Sequence, residues 1–281
     1  MTLDWLFHHD NLETKIRANY KSRGKDFEAF RDALYLPYQK AQLSISSIIK
    51  ESILEKVRLL EKYYHRADRF NSGNWITFQS KFRPTILEEF CGYLFKDVPQ
   101  VERLGLSFLK RDIYAGLDID REGRARIKTK DVDFCIGKVV QATFNQRPVE
   151  IKIPVVAIEC KTYIDNTMFS EAQFTAQKFK GGTPEVKVFV FAETNEIALD
   201  QIPSQSPIDQ IYILRKDVGS AIDGETVWAF FQEVQGVLQR VSLGGLLTLP
   251  GKLLVYWPHS GGSSSSSSGS SPKASKWLPT Q

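Results

Sequence analysis

The chain has few of the residues that characterise zinc-binding or disulfide-rich proteins. It contains three cysteines and four histidines among 281 residues. Cys91, Cys135 and Cys160 lie in apolar contexts without metal-ligand spacing, which indicates buried, reduced thiols. The histidines also lack the spacing of zinc ligands. We therefore expect neither a disulfide framework nor a structural zinc site.

Long apolar runs and a strong charge imbalance are also absent. No run reaches the roughly 18 apolar residues of a membrane span, and the N-terminus has no basic segment followed by an apolar one. We therefore expect no membrane partner and a cytoplasmic location. The net charge of +4 permits a nucleic-acid partner without requiring one. Hydrophobic residues make up 42% of the chain, which is enough for a large core.

Helical patterning dominates the first part of the chain. Tyr38 to His65 carries apolar residues at spacings of three and four without glycine or proline, which predicts one amphipathic helix. The segment from Arg66 to Gly73 is predicted to be a connection. Another helix is expected to begin near Pro84, because proline is tolerated in a first helical turn.

Strand patterning follows and alternates with helices. The predicted strands are Leu104–Tyr114, Ala125–Val140, Val149–Lys161, Val186–Ala192 and Ile208–Leu214. Gly116 to Gly123 is predicted to be a turn, and the polar segment 141–148 to be a loop. Helices are predicted at Asp165–Lys180 and from Asp223 to Val241. This order predicts an α/β fold, a mixed β-sheet flanked by helices, with an N-terminal helical region.

One strand carries charged residues directly after an apolar run. Ile153 to Ile158 predicts a strand buried on both faces, and it continues into Glu159-Cys160-Lys161. Because side chains alternate along a strand, Glu159 and Lys161 point the same way. A carboxylate and an ammonium at the end of a core strand are costly to desolvate unless they are used or paired. Two interpretations stay open: a metal-dependent phosphodiester-cutting site and a structural ion pair.

Acidic residues upstream favour the first interpretation. Asp131 and Asp133 lie on the strand before Glu159, and pairing of the two strands would bring Asp133 beside Glu159. Two carboxylates at one place can hold Mg²⁺, which activates a water molecule. The tripeptide alone is weak evidence, because residues 13–15 and 185–187 have the same pattern.

The spacing from Asp133 to Glu159-Cys160-Lys161 resembles the PD-(D/E)XK nuclease superfamily, and longer segments resemble BbvCI-like type II restriction endonucleases. These segments lie between residues 84 and 235 and are Pro84–Phe90, Tyr93–Phe95, Lys130–Gly137, Ile153–Lys161, Ile208–Arg215 and Ile222–Val234. The resemblance implies a nuclease core at 81–258. Sequence patterning and composition, rather than the resemblance, predict a helical region at 1–80 before it and a serine-rich tail at 259–281 after it. The tail is low in complexity and is predicted to be disordered.

The resemblance also implies the roles of individual residues. Asp133 and Glu159 would bind Mg²⁺, with the backbone carbonyl of Cys160 as a further ligand, and Lys161 would be the catalytic lysine. Glu89 matches a helix position that adds a carboxylate in related enzymes.

Two of these assignments have neighbours that compete for the same role. Val132 stands where the superfamily name has proline, so Asp131 stays an alternative to Asp133. Glu88 lies roughly 100° round the helix from Glu89, so only one of the two can face the metal.

Several cations are candidates for DNA contact. One strand face carries four cations at period two, namely Arg124, Arg126, Lys128 and Lys130. Two interpretations of this face stay open: contact with DNA phosphates or bases, and solvation of surface charges. Lys178 and Lys180 lie at the end of the helix after the catalytic strand. They can be interpreted either as cations that compensate the helix dipole or as contacts to DNA phosphates.

The resemblance implies a Mg²⁺-dependent restriction endonuclease of a prokaryotic cell with a short target related to CCTNAGC. Its partners would be double-stranded DNA, an identical or related second subunit and a cognate DNA methyltransferase. The region 1–80 would serve DNA recognition or dimerisation. The alternatives are a non-catalytic DNA-binding subunit of a heteromeric nuclease and a structure-specific repair or junction nuclease.

Overall fold

A computed structural model of the chain describes residues 4–74, 81–122, 124–144, 146–197, 205–242, 247–249 and 253–255. The described residues form eight α-helices: α1 (Phe7–Arg17), α2 (Gly24–Phe30), α3 (Leu36–Ser44), α4 (Lys50–Asn74), α5 (Pro84–Phe95), α6 (Pro99–Arg103), α7 (Asn166–Gly182) and α8 (Gly224–Ser242). A 3₁₀ turn at Tyr20–Ser22 and a π-helical turn at Arg31–Tyr35 lie among the first three helices. The predicted disordered tail at 259–281 lies outside the described residues.

Nine strands accompany these helices in the described part of the chain. They are β1 (Ser107–Leu109), β2 (Ile113–Ile119), β3 (Ala125–Lys130), β4 (Phe134–Phe144), β5 (Arg147–Ile164), β6 (Lys187–Asn195), β7 (Gln210–Ile213), β8 (Leu247–Leu249) and β9 (Leu253–Val255). The first seven form one mixed sheet, and β8 pairs with β9. The predicted α/β fold with a mixed sheet is confirmed.

The sheet is built around the long strand β5. β4 pairs with it antiparallel, from Phe134 opposite Ile158 to Phe144 opposite Arg147. β6 pairs with β5 in parallel, and β7 with β6 in parallel. Because parallel neighbours need a crossover, α7 connects β5 to β6 across one face of the sheet.

Apolar layers cover both faces of the sheet. On one face, Phe169 and Phe179 of α7 pack with Val188 of β6. On the other face, α5 and α8 belong to a larger cluster that includes Phe191 of β6. That cluster also contains Tyr35 and residues of α4, so the N-terminal helices and the sheet share one hydrophobic core.

Helix α5 is buried on all sides. Every residue from Thr85 to Phe95 is buried, including the consecutive Glu88 and Glu89, each 1% exposed. The sheet lies on one side of this helix and the N-terminal helices lie on the other. Buried carboxylates require partners, and those partners determine what each glutamate does.

The helix predicted over Tyr38 to His65 is wrong as a single element. It is divided between α3 and α4, and Ile45 is extended with φ −86° and ψ 101°. Ser44 Oγ donates to the Ala41 carbonyl oxygen at 2.8 Å, and serine side chains compete in this way with helical backbone bonding. The connection predicted at Arg66–Gly73 is also wrong, because α4 continues to Asn74.

The strand predicted over Ala125 to Val140 is interrupted at 131–133, between β3 and β4. The Asp131 carboxylate accepts from the Asp112 backbone N–H at 3.0 Å, which holds the interruption against the β1–β2 turn. The turn predicted at Gly116–Gly123 begins later, because β2 continues to Ile119 through a bulge at Gly116 (φ +145°). The loop predicted at 141–148 belongs instead to a long hairpin of β4 and β5.

No helix in the described ranges has the length and apolarity to cross a membrane.

Candidate active site

Lys161 lies between two carboxylates at the end of β5. Its Nζ is 2.7 Å from Glu159 Oε2 and 3.1 Å from Asp133 Oδ2. Because Glu159 and Lys161 are two residues apart on a strand, they share a face, as predicted. The side chain of Glu159 is 9% exposed and that of Asp133 is 20% exposed, so the cluster is reachable from solvent while largely desolvated.

Asp133 reaches this cluster through the β4–β5 register. The pairing of Phe134 with Ile158 places the preceding residue, Asp133, opposite Glu159. Asp133 Oδ2 also accepts from the Cys160 backbone N–H at 3.0 Å. The prediction that the two strands bring Asp133 beside Glu159 is confirmed. Asp131 instead bonds the backbone of the β1–β2 turn, so the geometry favours Asp133 over Asp131.

Burial and mutual repulsion affect the charges of this cluster. Burial raises the pKa of Glu159, and the charge of Asp133 raises it further, while Lys161 acts in the opposite direction. Burial alone would lower the pKa of Lys161, but Asp133 and Glu159 together raise it above its ordinary value. Asp133 and Glu159 thus both favour the ammonium form of Lys161.

The structure does not bring Glu89 to this cluster. Its Oε2 accepts from the backbone N–H groups of His8 at 2.9 Å and His9 at 3.1 Å, at the start of α1. Its Oε1 accepts from the hydroxyls of Tyr35 at 3.0 Å and Tyr93 at 2.6 Å. Glu89 is thus engaged by the N-terminal helical region and by Tyr93 of α5 itself, away from the metal role predicted for it.

Glu88 faces the other side of α5. Its carboxylate accepts from Lys110 Nζ, and Lys110 lines the same cavity as Asp133 and Glu159. Burial first, and then the charge of Asp133, raises the pKa of Glu88 to about 7. The sequence could not choose between the two glutamates, because a helix buried on all sides has no polar face to orient it.

The donors present suit a hard divalent cation. No group of three His, Cys, Asp or Glu side chains in the described ranges converges as a metal centre. Asp133 and Glu159 do converge, since both contact the same ammonium. Mg²⁺ is commonly bound by one or two carboxylates with water and substrate phosphates completing its shell. The residues therefore fit Mg²⁺, and the Cys160 carbonyl stays a prediction.

A cavity of about 810 Å³ opens over the cluster. Three cations that the sequence reasoning missed line it, namely Lys81, Lys110 and Arg111. α7 contributes Glu171 and Phe174 to the opposite wall. Lys110 and Arg111 lie in the polar segment between the first two strands, and Lys81 lies just before α5. No local pattern marked these cations, because their nearness to Asp133 depends on tertiary pairing.

Of the cations predicted to contact DNA, Lys130 alone lines this cavity among the described residues. Local partners occupy four of the others: Arg124 pairs with Asp120 and Glu122, Lys128 with Asp118, Lys178 lies over the Phe174 ring, and Lys180 pairs with Asp209. Arg126 is exposed on β3. DNA contact by this set stays a prediction.

Comparison with known proteins adds independent evidence. The model of the Bpu10I restriction endonuclease family matches residues 79–233, more than half of the chain. The solved structure of the native BbvCI A2B2 tetramer at low resolution superposes with a TM-score of 0.70 at 21% sequence identity, covering 86% of this chain and 98% of that chain. This likeness shows the same fold. No curated protein matches the chain.

The family match spans every residue of the cluster, from Glu88 on α5 to Lys161 on β5. The predicted resemblance to BbvCI-like enzymes is therefore confirmed. The chain belongs to the Bpu10I restriction endonuclease family and is a type II site-specific deoxyribonuclease.

Proposed function

We propose that this enzyme hydrolyses double-stranded DNA with Mg²⁺ held by Asp133 and Glu159, and with the Cys160 backbone carbonyl as a further ligand. Bound Mg²⁺ would lower the pKa of the attacking water and stabilise charge in the transition state. The observation that carries the proposal is the Lys161 ammonium, within 3.1 Å of both carboxylates. Such a cluster is costly to bury as a purely structural feature, which favours a functional role.

Lys161 orients or deprotonates the attacking water in this proposal. Its Nζ lies 2.7 Å from Glu159 and 3.1 Å from Asp133, so it is placed beside any water that a metal held by these carboxylates would bind. The expected products are a 5′-phosphate and a 3′-hydroxyl.

Glu88 takes the place proposed from sequence for Glu89. It is buried next to the cluster, and Asp133 contributes to the rise of its pKa to about 7. Glu89 is held by four hydrogen bonds from the N-terminal helices and α5. We infer that α5 contributes one carboxylate to the site through Glu88.

A double-strand break requires two such sites. An identical pair of subunits would suit a symmetric target, and a related pair an asymmetric one. The A2B2 assembly of BbvCI supports a related pair. A target related to CCTNAGC is proposed from the resemblance of the sequence alone. A cognate DNA methyltransferase would protect the host at the same target.

Cleavage of plasmid and genomic DNA tests the proposal directly. We expect discrete fragments with Mg²⁺ and none with EDTA. Lys161→Ala and Glu159→Ala should reduce the cleavage rate by on the order of 100-fold or more. Glu185→Ala is the matched control, because Glu185 is an exposed glutamate of another Glu-x-Lys tripeptide outside the cavity.

Full cleavage by Lys161→Ala would contradict the proposal. DNA that the wild-type protein binds and never cuts would identify a non-catalytic subunit. Cutting confined to junctions or damaged DNA would identify a structure-specific nuclease.

A further inference from the structure

A second cavity, of about 630 Å³, adjoins the active-site cavity. Lys81, Lys110 and Arg111 line both cavities, and we call these three residues the shared rim. Apart from these three residues and Asp4, the second cavity is lined by α1, by the end of β1, by Thr85 of α5 and by Lys152 of β5. A groove therefore leads from the catalytic cluster across the shared rim to the N-terminal helix.

Two hydrogen bonds hold the turn that carries Lys110 and Arg111 against the segment that precedes β4. The Val132 backbone N–H donates to the Lys110 carbonyl oxygen at 3.1 Å, next to Asp133. Asp112, in the left-handed region with φ +56°, donates its backbone N–H to the Asp131 carboxylate at 3.0 Å. The turn that carries Lys110 and Arg111 is therefore held in place in the absence of DNA.

The charges of the shared rim are only partly compensated. Lys110 pairs with Glu88 and lies 4.8 Å from the centre of the Phe7 ring. Lys81 and Arg111 are exposed, and neither side chain has a hydrogen bond or ion pair to the described residues. The charge of Lys81 acts on the nearby Glu88 and lowers its pKa, but without an ion pair. Two cations that lack an ion pair within the described ranges thus stand beside the buried carboxylates.

This arrangement differs from that of the other candidate cations. Arg124, Lys128 and Lys180 are paired with acidic side chains, so a phosphate would have to displace a partner at each of them. Neither Lys81 nor Arg111 has such a partner among the described residues, so a phosphate could bind there without displacing one. Asp4 and Asp10 also line the second cavity, so the favourable path for an anion follows its cations, which are the shared rim and Lys152.

We propose that Lys81 and Arg111 bind backbone phosphates adjacent to the scissile phosphate, so that the cut strand runs from the catalytic cavity across the shared rim towards α1. This inference rests on the proposed function, since it takes DNA as the substrate. It makes the N-terminal helical region one wall of the DNA groove. The contacts are to phosphate, so they add affinity and position the strand without reading sequence.

The salt dependence of DNA binding tests the inference. A Lys81→Ala/Arg111→Ala double variant is compared with its parent in a Lys161→Ala background, with Mg²⁺ and salt between about 50 and 200 mM. Each phosphate contact contributes about −0.9 to the slope of log K against log salt, so we expect the slope to become less negative by about 1.8. The change should be the same on target and unrelated DNA.

The matched control is Lys62→Ala/Arg66→Ala on α4, which removes the same charge from exposed residues that line neither cavity. Its slope should equal that of the parent. An unchanged slope for the Lys81/Arg111 variant, or an equal change in the control, would overturn the inference and leave the proposed function standing. A wild-type protein that neither binds nor cuts DNA would overturn the proposed function first, and the inference with it.

Discussion

Two consecutive glutamates on α5 have different partners. Glu89 accepts four hydrogen bonds, two of them from backbone N–H groups at the start of α1, where a carboxylate also compensates the helix dipole. Glu88, one residue earlier, is held by Lys110 beside the catalytic cluster. One glutamate thus anchors the helix, and the other is available to the site.

Substitution by glutamine should separate these two roles. Glu88→Gln should reduce the cleavage rate about 10-fold or more with little change in stability, because the amide removes a charge and keeps an acceptor. Glu89→Gln should cost about 1–3 kcal/mol of unfolding free energy, since its amide nitrogen cannot accept the hydrogen bonds it replaces. Cleavage per folded protein and thermal unfolding measure the two effects. The reverse pattern would contradict the placement of Glu88.

A buried histidine makes stability depend on pH. The His8 ring contacts Thr85 Oγ1 at 2.9 Å and the Tyr63 hydroxyl at 2.7 Å, and burial, followed by the charge of Lys15, lowers its pKa to about 3. The unfolded chain binds a proton near pH 6.5, and the folded protein does not bind it until about pH 3. Stability from His8 is therefore present above pH 6.5 and is lost as pH falls towards 3.

A comparison of the wild type with His8→Asn isolates the effect of His8 on the pH dependence of stability. Burial raises the pKa of Glu89 to about 7, so the folded protein keeps a proton there that the unfolded chain releases. The contribution of Glu89 to stability therefore changes with pH in the opposite direction to that of His8. Because wild type and variant both contain Glu89, its contribution cancels when their stabilities are compared. Between pH 6.5 and 5.5 the wild type should lose about 1 kcal/mol relative to the variant in urea unfolding. A difference independent of pH would contradict a neutral, buried His8.

At the scale of elements, the close contact between α7 and β2 depends on one glycine. A Cβ on Gly182, the last residue of α7, would lie 2.3 Å from the carbonyl carbon of Ala115 and 2.6 Å from the nitrogen of Gly116. These are backbone atoms of β2 and cannot rotate away. The end of the helix can approach the strand only without a side chain.

Gly182→Ala should therefore destabilise the protein by about 1–3 kcal/mol, as overpacking does in cores. Gly181→Ala is the control, because its Cβ would meet nothing within 4 Å, and its effect should stay within about 1 kcal/mol. Midpoints of urea unfolding measure both. Equal midpoints for the two variants would show that the helix end can move.

Elements differ in how far the sequence predicted them. Strand β5 could be placed because its apolar run and its alternation are local, and that alternation put Glu159 and Lys161 on one face. The interruption of the strand at 131–133 could not be predicted from the sequence, since it depends on a hydrogen bond between Asp131 and a residue 19 positions away. The rim cations were missed for the same reason, because Lys81 and Arg111 meet Asp133 only through the fold.

At the scale of the whole molecule, the N-terminal helices and the nuclease sheet share one apolar cluster. The rings of Trp5 and Tyr93 have centroids 5.2 Å apart, and those of Tyr38 and Tyr93 are 5.9 Å apart. Removal of the first 80 residues would expose one side of α5 to water. The helical region is therefore expected to be needed for folding as well as for any contact with DNA.

The fragment 81–258 should accordingly fail to unfold cooperatively when followed by circular dichroism on heating. A chain lacking only 259–281 is the control, since the serine-rich tail is predicted to be disordered, and it should unfold like the full protein. A sharp thermal transition in the isolated fragment would show that the sheet can form a sufficient core by itself.

The burial of α5 on all sides has a consequence for redesign of the enzyme. Any new side chain on that helix must fit either the sheet or the N-terminal helices, so an attempt to alter substrate preference there would first alter folding. Helix α7 offers the opposite situation, because it presents Thr167, Ser170 and Phe174 to the active-site cavity while its other side packs on the sheet. Substitutions intended to change cleavage should therefore be made on α7, and α5 should be left unchanged.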